Sequence, residues 1–395
     1  MKAFVFTDPA LTSQAGRFVW LEINTERAAN AAFLKRYPIV ALPTFLVMDP
    51  ADQRMMLRWV GGASVAQVQK MLADGAATVK AAHRPAVATA SPAQRTAAPR
   101  ATRDAELAFA RAESLYAAGS DSAAAVAYQE ALKHAPPGWP HYGRAVESLL
   151  FALSQRDACE TGARLVREAL PRLRHSASAG NLAASGLEAA LAMPPGPARD
   201  TLRAELERAA QAIVRDQSVP LAADDRSSVY IALLDARKDI GDSTGARRVA
   251  GAWADFLAGE AARARSPEAR VVFDSHRLAA YLELGEPERA IPMLERSERD
   301  FPDDYNPPAR LAVAYRAMKR WNSGLEASDR ALKKAYGPRT LGMYQVRSDL
   351  YLGLRDTTLA RRTLEDAVRT AEAFPPGQRS ERTIAGLRKK LEALR

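Results

Sequence analysis

The chain has 395 residues, 47% apolar and only 7% aromatic, a length for two or more domains and a balance that favours close-packed helices over an all-β sandwich. No run of about 18 or more apolar residues occurs, which excludes a helical membrane span, and the short apolar stretch of "MKAFVFTDPALTSQAG", cut by Asp8 and Pro9, does not read as a signal peptide. The formal charge of +10 divides into +2 over residues 1–75, +5 over 76–103 and +3 over the rest, which argues for a solvated basic linker and against a basic binding face.

In chain order, "FVWLEIN" (18–24) is β-rich and predicts a strand. "TERAANAAFLKRYP" predicts a helix with Thr25 as its cap and Pro38 at its close. In "VALPTF" the lone Pro43 stands between two apolar runs. A proline there removes a ladder donor, so it belongs at a strand start or in a special turn, where a cis bond is one option. "TFLVMD" (44–49) predicts a second strand, "PADQ" a turn, and "RMMLRWV" a third strand paired back in a hairpin. "SVAQVQKMLADG" predicts a helix capped by Ser64, with Gly75 beyond its end. Residues 76–103 are Ala, Pro, Thr and Arg with almost no large apolar group, which predicts a disordered linker.

From Asp104 to the end the pattern is helical and repeats on a frame of about 34 residues. Gly119, Ala124 and Tyr128 of the first clear unit, which also carries Ala112 and Ala131, correspond to Gly285, Ala290 and Leu294 of a second, which carries Tyr281. Ala312, Tyr315, Gly324 and Ala331 fall at these places in a third, and Tyr351, Ala360, Leu364 and Ala367 in a fourth. This resembles the tetratricopeptide repeat (TPR), in which small residues let paired helices pack closely. Weaker units fit near 143–176 and 227–260, whereas 177–226, with "AMPPGPARD", departs from the frame. "RSERTIAGLRKKLEALR" predicts a polar capping helix.

The order of elements in the first 75 residues, with "FVWLEIN", "AAFLKRYPIVALPTFLVMD" and "WVGGAS", resembles the thioredoxin-like fold. The fold class expected is therefore an α/β thioredoxin-like partial domain (1–75), a linker (76–103) and an all-α TPR helical solenoid (104–395). The resemblance implies that Pro43 is a cis-proline, that Leu42 offers backbone groups to an extended substrate, and that "MKAFVFTDP" ends a redox helix. The Cys-x-x-Cys of that family and the strand before it have no counterpart here. The expectation is accordingly that the natural product begins upstream of Met1. Thiol–disulfide exchange on clients held by the repeats would then follow if the upstream residues supply the dithiol. The alternative is a non-enzymatic TPR scaffold with a redox-inactive remnant. The compartment is cytoplasmic as the chain stands, and periplasmic or exported if an upstream signal exists.

Other chemistry is absent from the sequence. The five histidines are scattered without metal-ligand spacing, and no phosphate loop or nucleophile elbow occurs. Neither a cofactor nor a metal is expected, and no catalytic residue can be named. The one cysteine, Cys159, reads as structural. Partners are protein or peptide clients in the groove lined by first helices. A Lys/Asn clamp for a C-terminal carboxylate is missing, since those places hold Phe109 and Glu113, Ser275 and Ala279, Ala309 and Val313, and Gln345 and Asp349. Phe109, Glu113, Arg310 and Arg316 are the partner-binding candidates, the two arginines for an acidic partner. Nucleic acid, through the arginines of the linker, ranks last.

Overall fold

The computed structural model describes residues 5–83 and 100–394. Contacts divide the chain into two units: residues to Ser13 together with Ala41–Val249, and Gln14–Val40 together with Ala250–Arg395. The N-terminal 75 residues therefore do not form a body of their own.

In chain order, helix α1 (Ala31–Arg36) belongs to the second unit and is taken up below. The first unit contains an antiparallel hairpin, β1 (Thr44–Met48) and β2 (Met55–Val60), in the register Thr44↔Val60, Phe45↔Trp59 and Val47↔Leu57. The expected turn closes it: Asp49 N donates to Arg54 O at 2.9 Å, and the Asp49 carboxylate accepts from Ala51 N at 3.0 Å. The Leu42–Pro43 peptide is cis, and Pro43 O accepts from Gly61 N at 2.9 Å where the hairpin opens. Helix α2 (Val65–Ala82) starts with a capping box: Ser64 Oγ accepts from Gln67 N, and Gln67 Oε1 accepts from Ser64 N. Gly75 does not end this helix. It lies inside it, where a Cβ would meet Val47 Cγ1 at 2.8 Å, so the missing side chain lets helix and strand approach.

These two strands are the only ones among the described residues. Residues 18–24 form no strand: they have no neighbouring strand to pair with, and Val19, Trp20 and Leu21 are exposed. Thr25 caps no helix either; a 3₁₀ turn (Ala28–Asn30) leads into the short α1. Of "MKAFVFTDP", residues 1–4 lie outside the described residues, and the rest leads into a 3₁₀ turn, Pro9–Gln14. The described residues thus form no thioredoxin-like sheet. The linker expected over 76–103 is helical at both ends, in α2 and in the next helix, while 84–99 lie outside the described residues.

Helix hairpins follow: α3 (Arg100–Ala117) with α4 (Asp121–His134), α5 (Tyr142–Ser154) with α6 (Cys159–Leu173), and α7 (Ala179–Leu191) with α8 (Pro197–Arg215). Next comes α9 (Ala223–Asp239) with α10 (Ser243–Arg263), whose residues to Val249 belong to this unit. The stretch 177–226, which broke the sequence frame, is mostly the pair α7/α8. Ala112, Ala124, Tyr128 and Ala131 are fully buried, as the repeat pattern requires. The turn between paired helices recurs: Gly119, Asp157 and Gly241 adopt left-handed backbone, and the next N–H bonds back five residues, as Ser120 N does to Leu115 O at 2.9 Å.

The second unit repeats this plan. After the short α11 (Pro267–Val271) come α12 (Asp274–Leu284) with α13 (Ile291–Asp300), α14 (Asn306–Ala317) with α15 (Trp321–Leu332), and α16 (Thr340–Gly353) with α17 (Thr357–Glu372). The left-handed turn residues are Gly285, Lys319 and Arg355. Ala290, Ala312, Ala331, Ala360 and Ala367 have no exposed surface. α18 (Glu381–Glu392) covers the end, burying Ile384 and Leu387 against Leu341, Leu364 and Ala371. The opposite side of this helix, with Glu381, Arg382, Arg388, Lys389 and Lys390, is polar.

Candidate peptide-binding face

In the first unit the first helices of successive hairpins pack on one another, α5 on α7 and α7 on α9, and strand β2 lies against α3 and α5. The extended chain Met55–Gly62 therefore occupies the face where a peptide was expected. Arg144 of α5 holds it: Nη2 donates to the backbone O of Arg58, and the guanidinium lies 4.5 Å from the centre of the Trp59 ring. The same guanidinium makes a forked pair with Glu113 of α3, Nε to Oε1 and Nη2 to Oε2, each 3.1 Å. Burial opposes the charge on Arg144, but Glu113 more than restores it and its pKa is raised.

From the strand side, Arg58 is only 9% exposed. Its Nη1 lies 3.3 Å from Asp121 Oδ1, and its guanidinium sits 4.7 Å from the Tyr116 ring and 5.4 Å from that of Phe151. Burial pushes the Tyr116 hydroxyl up to about 12. At the strand end, Val60 and Gly62 line a small cleft together with Glu147, Ser148 and Asn181. Burial pushes Glu147 up to about 7, against the pull of Arg144 and hydrogen bonds from Ser178 and Asn181. Burial likewise pushes Asp225 of α9 up to about 6, with Asp224 adding to it. Glu188 and Asp235 continue the acidic character along α7 and α9, the Glu188 carboxyl being raised by burial and by Asp235.

The sequence candidates fall as follows. Phe109 is buried in an aromatic cluster, 4.6 Å from the His141 ring and 5.4 Å from that of Trp139, so it is core and cannot meet a partner. Glu113 is on the face, committed to Arg144 and to the Tyr128 hydroxyl, which donates at 2.6 Å. Leu42 is exposed, and Pro43 half-buried beside the hairpin. Arg310 and Arg316 lie in the second unit: Arg310 is half-buried, its pKa lowered by burial with Asp274 opposing, and Arg316 pairs with Asp349. Sequence reasoning missed Arg58, Arg144, Glu147 and Asp225. The one available signal was Arg58 in the apolar run "MMLRWV", where a buried charge demands a partner.

The second unit holds a comparable arrangement of its own. Glu26 accepts from the Tyr305 hydroxyl at 3.0 Å and pairs with Arg339. Asn24 donates to Tyr336 Oη at 3.0 Å, Arg27 stacks 3.8 Å from the Tyr336 ring centre, and Gln378 donates to Thr25 O at 2.9 Å. Residues 24–27 are thus gripped by the loops that lead into α14 and α16 and by the loop between α17 and α18.

No family model and no curated protein matches the chain. Similar solved structures include a tetratricopeptide repeat protein from Parabacteroides merdae, 11% identical over 73% of this chain and 99% of that one, with a TM-score of 0.48. Another is the TPR2AB domain of yeast Sti1 in its pHSP90 complex, 15% identical over 73% of this chain and 98% of that one, at 0.26. A third is a signal transduction ATPase with a tetratricopeptide repeat sensor from Pyrococcus horikoshii, 14% identical over 75% of this chain and 50% of that one, at 0.39. The helical part of this chain is an array of helix hairpins with recurring left-handed turns and buried small residues. Among the described residues no helix is long and apolar enough to cross a membrane, and no three ligating side chains cluster for a metal ion.

Proposed function

We propose that the chain is a non-enzymatic TPR scaffold whose first-helix face in the first unit binds an extended segment of a partner protein. The observation that carries this reading is β2 itself, an extended strand bonded through its backbone to Arg144. A face that grips main chain this way accepts other sequences in the same conformation. Nothing among the described residues supports thiol–disulfide exchange, which would need a dithiol this sequence does not contain; Cys159, the single cysteine, is half-buried at the start of α6.

The test is binding of a labelled, end-blocked peptide with the sequence of residues 55–62 to the full chain, followed by fluorescence polarisation. The chain's own strand competes at high effective concentration, so Arg58→Ala, which loosens that strand, should bind the peptide more tightly than wild type. Arg144→Ala should bind it at least about tenfold more weakly than wild type. Absence of binding to wild type and to Arg58→Ala alike, or indifference to Arg144→Ala, would overturn the reading.

A further inference from the structure

We propose that Glu147 of α5 and Asp225 of α9, beside Asn181 of α7, form a seat for the lysine or arginine side chain of an extended partner peptide. This rests on the reading of the first-helix face as peptide-binding. Glu147 Oε2 is fully occluded yet has no hydrogen-bond partner, although Ser178 and Asn181 bond to the same carboxyl group. An unmade bond on a buried acceptor is costly, and here the orphan oxygen belongs to a residue lining the cleft at the end of β2. The strand also shows where a side chain would enter. A Cβ built on Gly62 would lie 3.3 Å from Asp225 Oδ1, and Gly62 lines the same cleft as Glu147.

Charge points the same way. Arg144, the cation nearest Glu147, is committed to Glu113, and the cation that β2 supplies, Arg58, is spent on Asp121. Glu147 and Asp225 then leave this part of the face short of positive charge. The raised pKa values of Glu147 and Asp225 agree, since burial that outweighs the nearby positive charge makes a carboxyl hold its proton more tightly. With no three ligating side chains gathered for a metal among the described residues, an organic cation on a peptide is the fitting ligand.

The experiment uses the full chain and three end-blocked peptides, MMLRWVGG, MMLRWVGK and MMLRWVGE, which differ only at the place of Gly62. The lysine peptide should bind about tenfold more tightly than the glycine peptide, and the glutamate peptide more weakly than either. Glu147→Gln combined with Asp225→Asn should erase this order while MMLRWVGG still binds. Equal binding of all three, or an order that survives in the double variant, would overturn the seat and leave the peptide-binding face standing. Binding of none would overturn both. A second measurement needs no peptide: Gly62→Lys should have a higher urea midpoint than Gly62→Glu in the intact chain. Equal or reversed midpoints would overturn the seat.

Discussion

Glu113 and Arg144 join two helices and a strand through one forked ion pair, with both contacts at 3.1 Å and side chains only 16% and 12% exposed. Removing one partner leaves the other charged and poorly solvated, which is more costly than removing both. Arg144→Ala should therefore lower the unfolding free energy by about 3 kcal/mol. Arg144→Met with Glu113→Gln should lose less than the sum of the two single changes. Urea unfolding of the four chains decides it; additive losses would mean that solvent already serves both groups.

Small residues set the spacing of the repeats, but only where something presses on them. A Cβ on Gly186 of α7 would lie 2.5 Å from Val166 Cγ1 and 2.7 Å from Val166 Cβ, inside a helix contact. Gly186→Ala should cost about 1–3 kcal/mol through overpacking, and Val166→Ala should recover part of that. Gly386 of α18 has nothing within 4 Å of the same position. Gly386→Ala should raise stability by up to about 1 kcal/mol from helix propensity alone. Melting temperatures moving in the same direction for both glycines would refute the distinction.

The repeats were legible because their signal is local and periodic. Ala112, Ala124 and Ala131 occupy fixed offsets, and all three are buried. The N-terminal region was legible only in part. Ser64 announced a helix start from its immediate neighbours, and "PADQ" announced a turn. "FVWLEIN" did not become a strand, because a strand needs a partner and propensity cannot supply one. The binding face was the least legible. Glu147 and Asp225 lie far apart in sequence on separate helices, and each resembles an ordinary surface carboxylate until packing buries it.

In the second unit, Glu26 fixes residues 24–27 by accepting from Tyr305 and pairing with Arg339. Burial and Glu26 both raise the Tyr305 hydroxyl pKa, which keeps that donor protonated. Glu26→Ala should free the segment, including Arg27 on the Tyr336 ring. Trypsin should then cut after Arg27 on the order of ten times faster, because cleavage follows the population of the opened form. Arg339→Ala should have a similar but smaller effect, since Arg339 is more than half exposed. An unchanged cleavage rate in Glu26→Ala would show that the remaining bonds from Asn24 and Gln378 suffice.

Glu147 also gives the first unit a pH dependence of unusual sign. Its carboxyl is raised from an ordinary 4.5 to about 7 by burial, with Arg144, Ser178 and Asn181 opposing and Asp225 assisting. Between these values the folded chain holds the proton more tightly than the unfolded chain, so stability falls as pH rises from about 4.5 to 7. Asp225, raised from 3.8 to about 6, acts in the same direction over a lower window. Carboxyls lowered by their partners, such as Asp242 beside Gly245 N–H and Arg237, lose their stabilising contribution only at more acid pH, outside most of this range. The urea midpoint of wild type minus that of Glu147→Gln should therefore rise as pH is lowered from 8 to 5, with Glu147 contributing on the order of 2 kcal/mol. His141, whose pKa burial lowers, acts against the trend in the wild type. The weaker slope from Asp225 should remain in Glu147→Gln. Parallel pH profiles for wild type and Glu147→Gln between pH 5 and 8 would mean that the Glu147 carboxylate is solvated, and would remove the electrostatic support for a cation seat at this position.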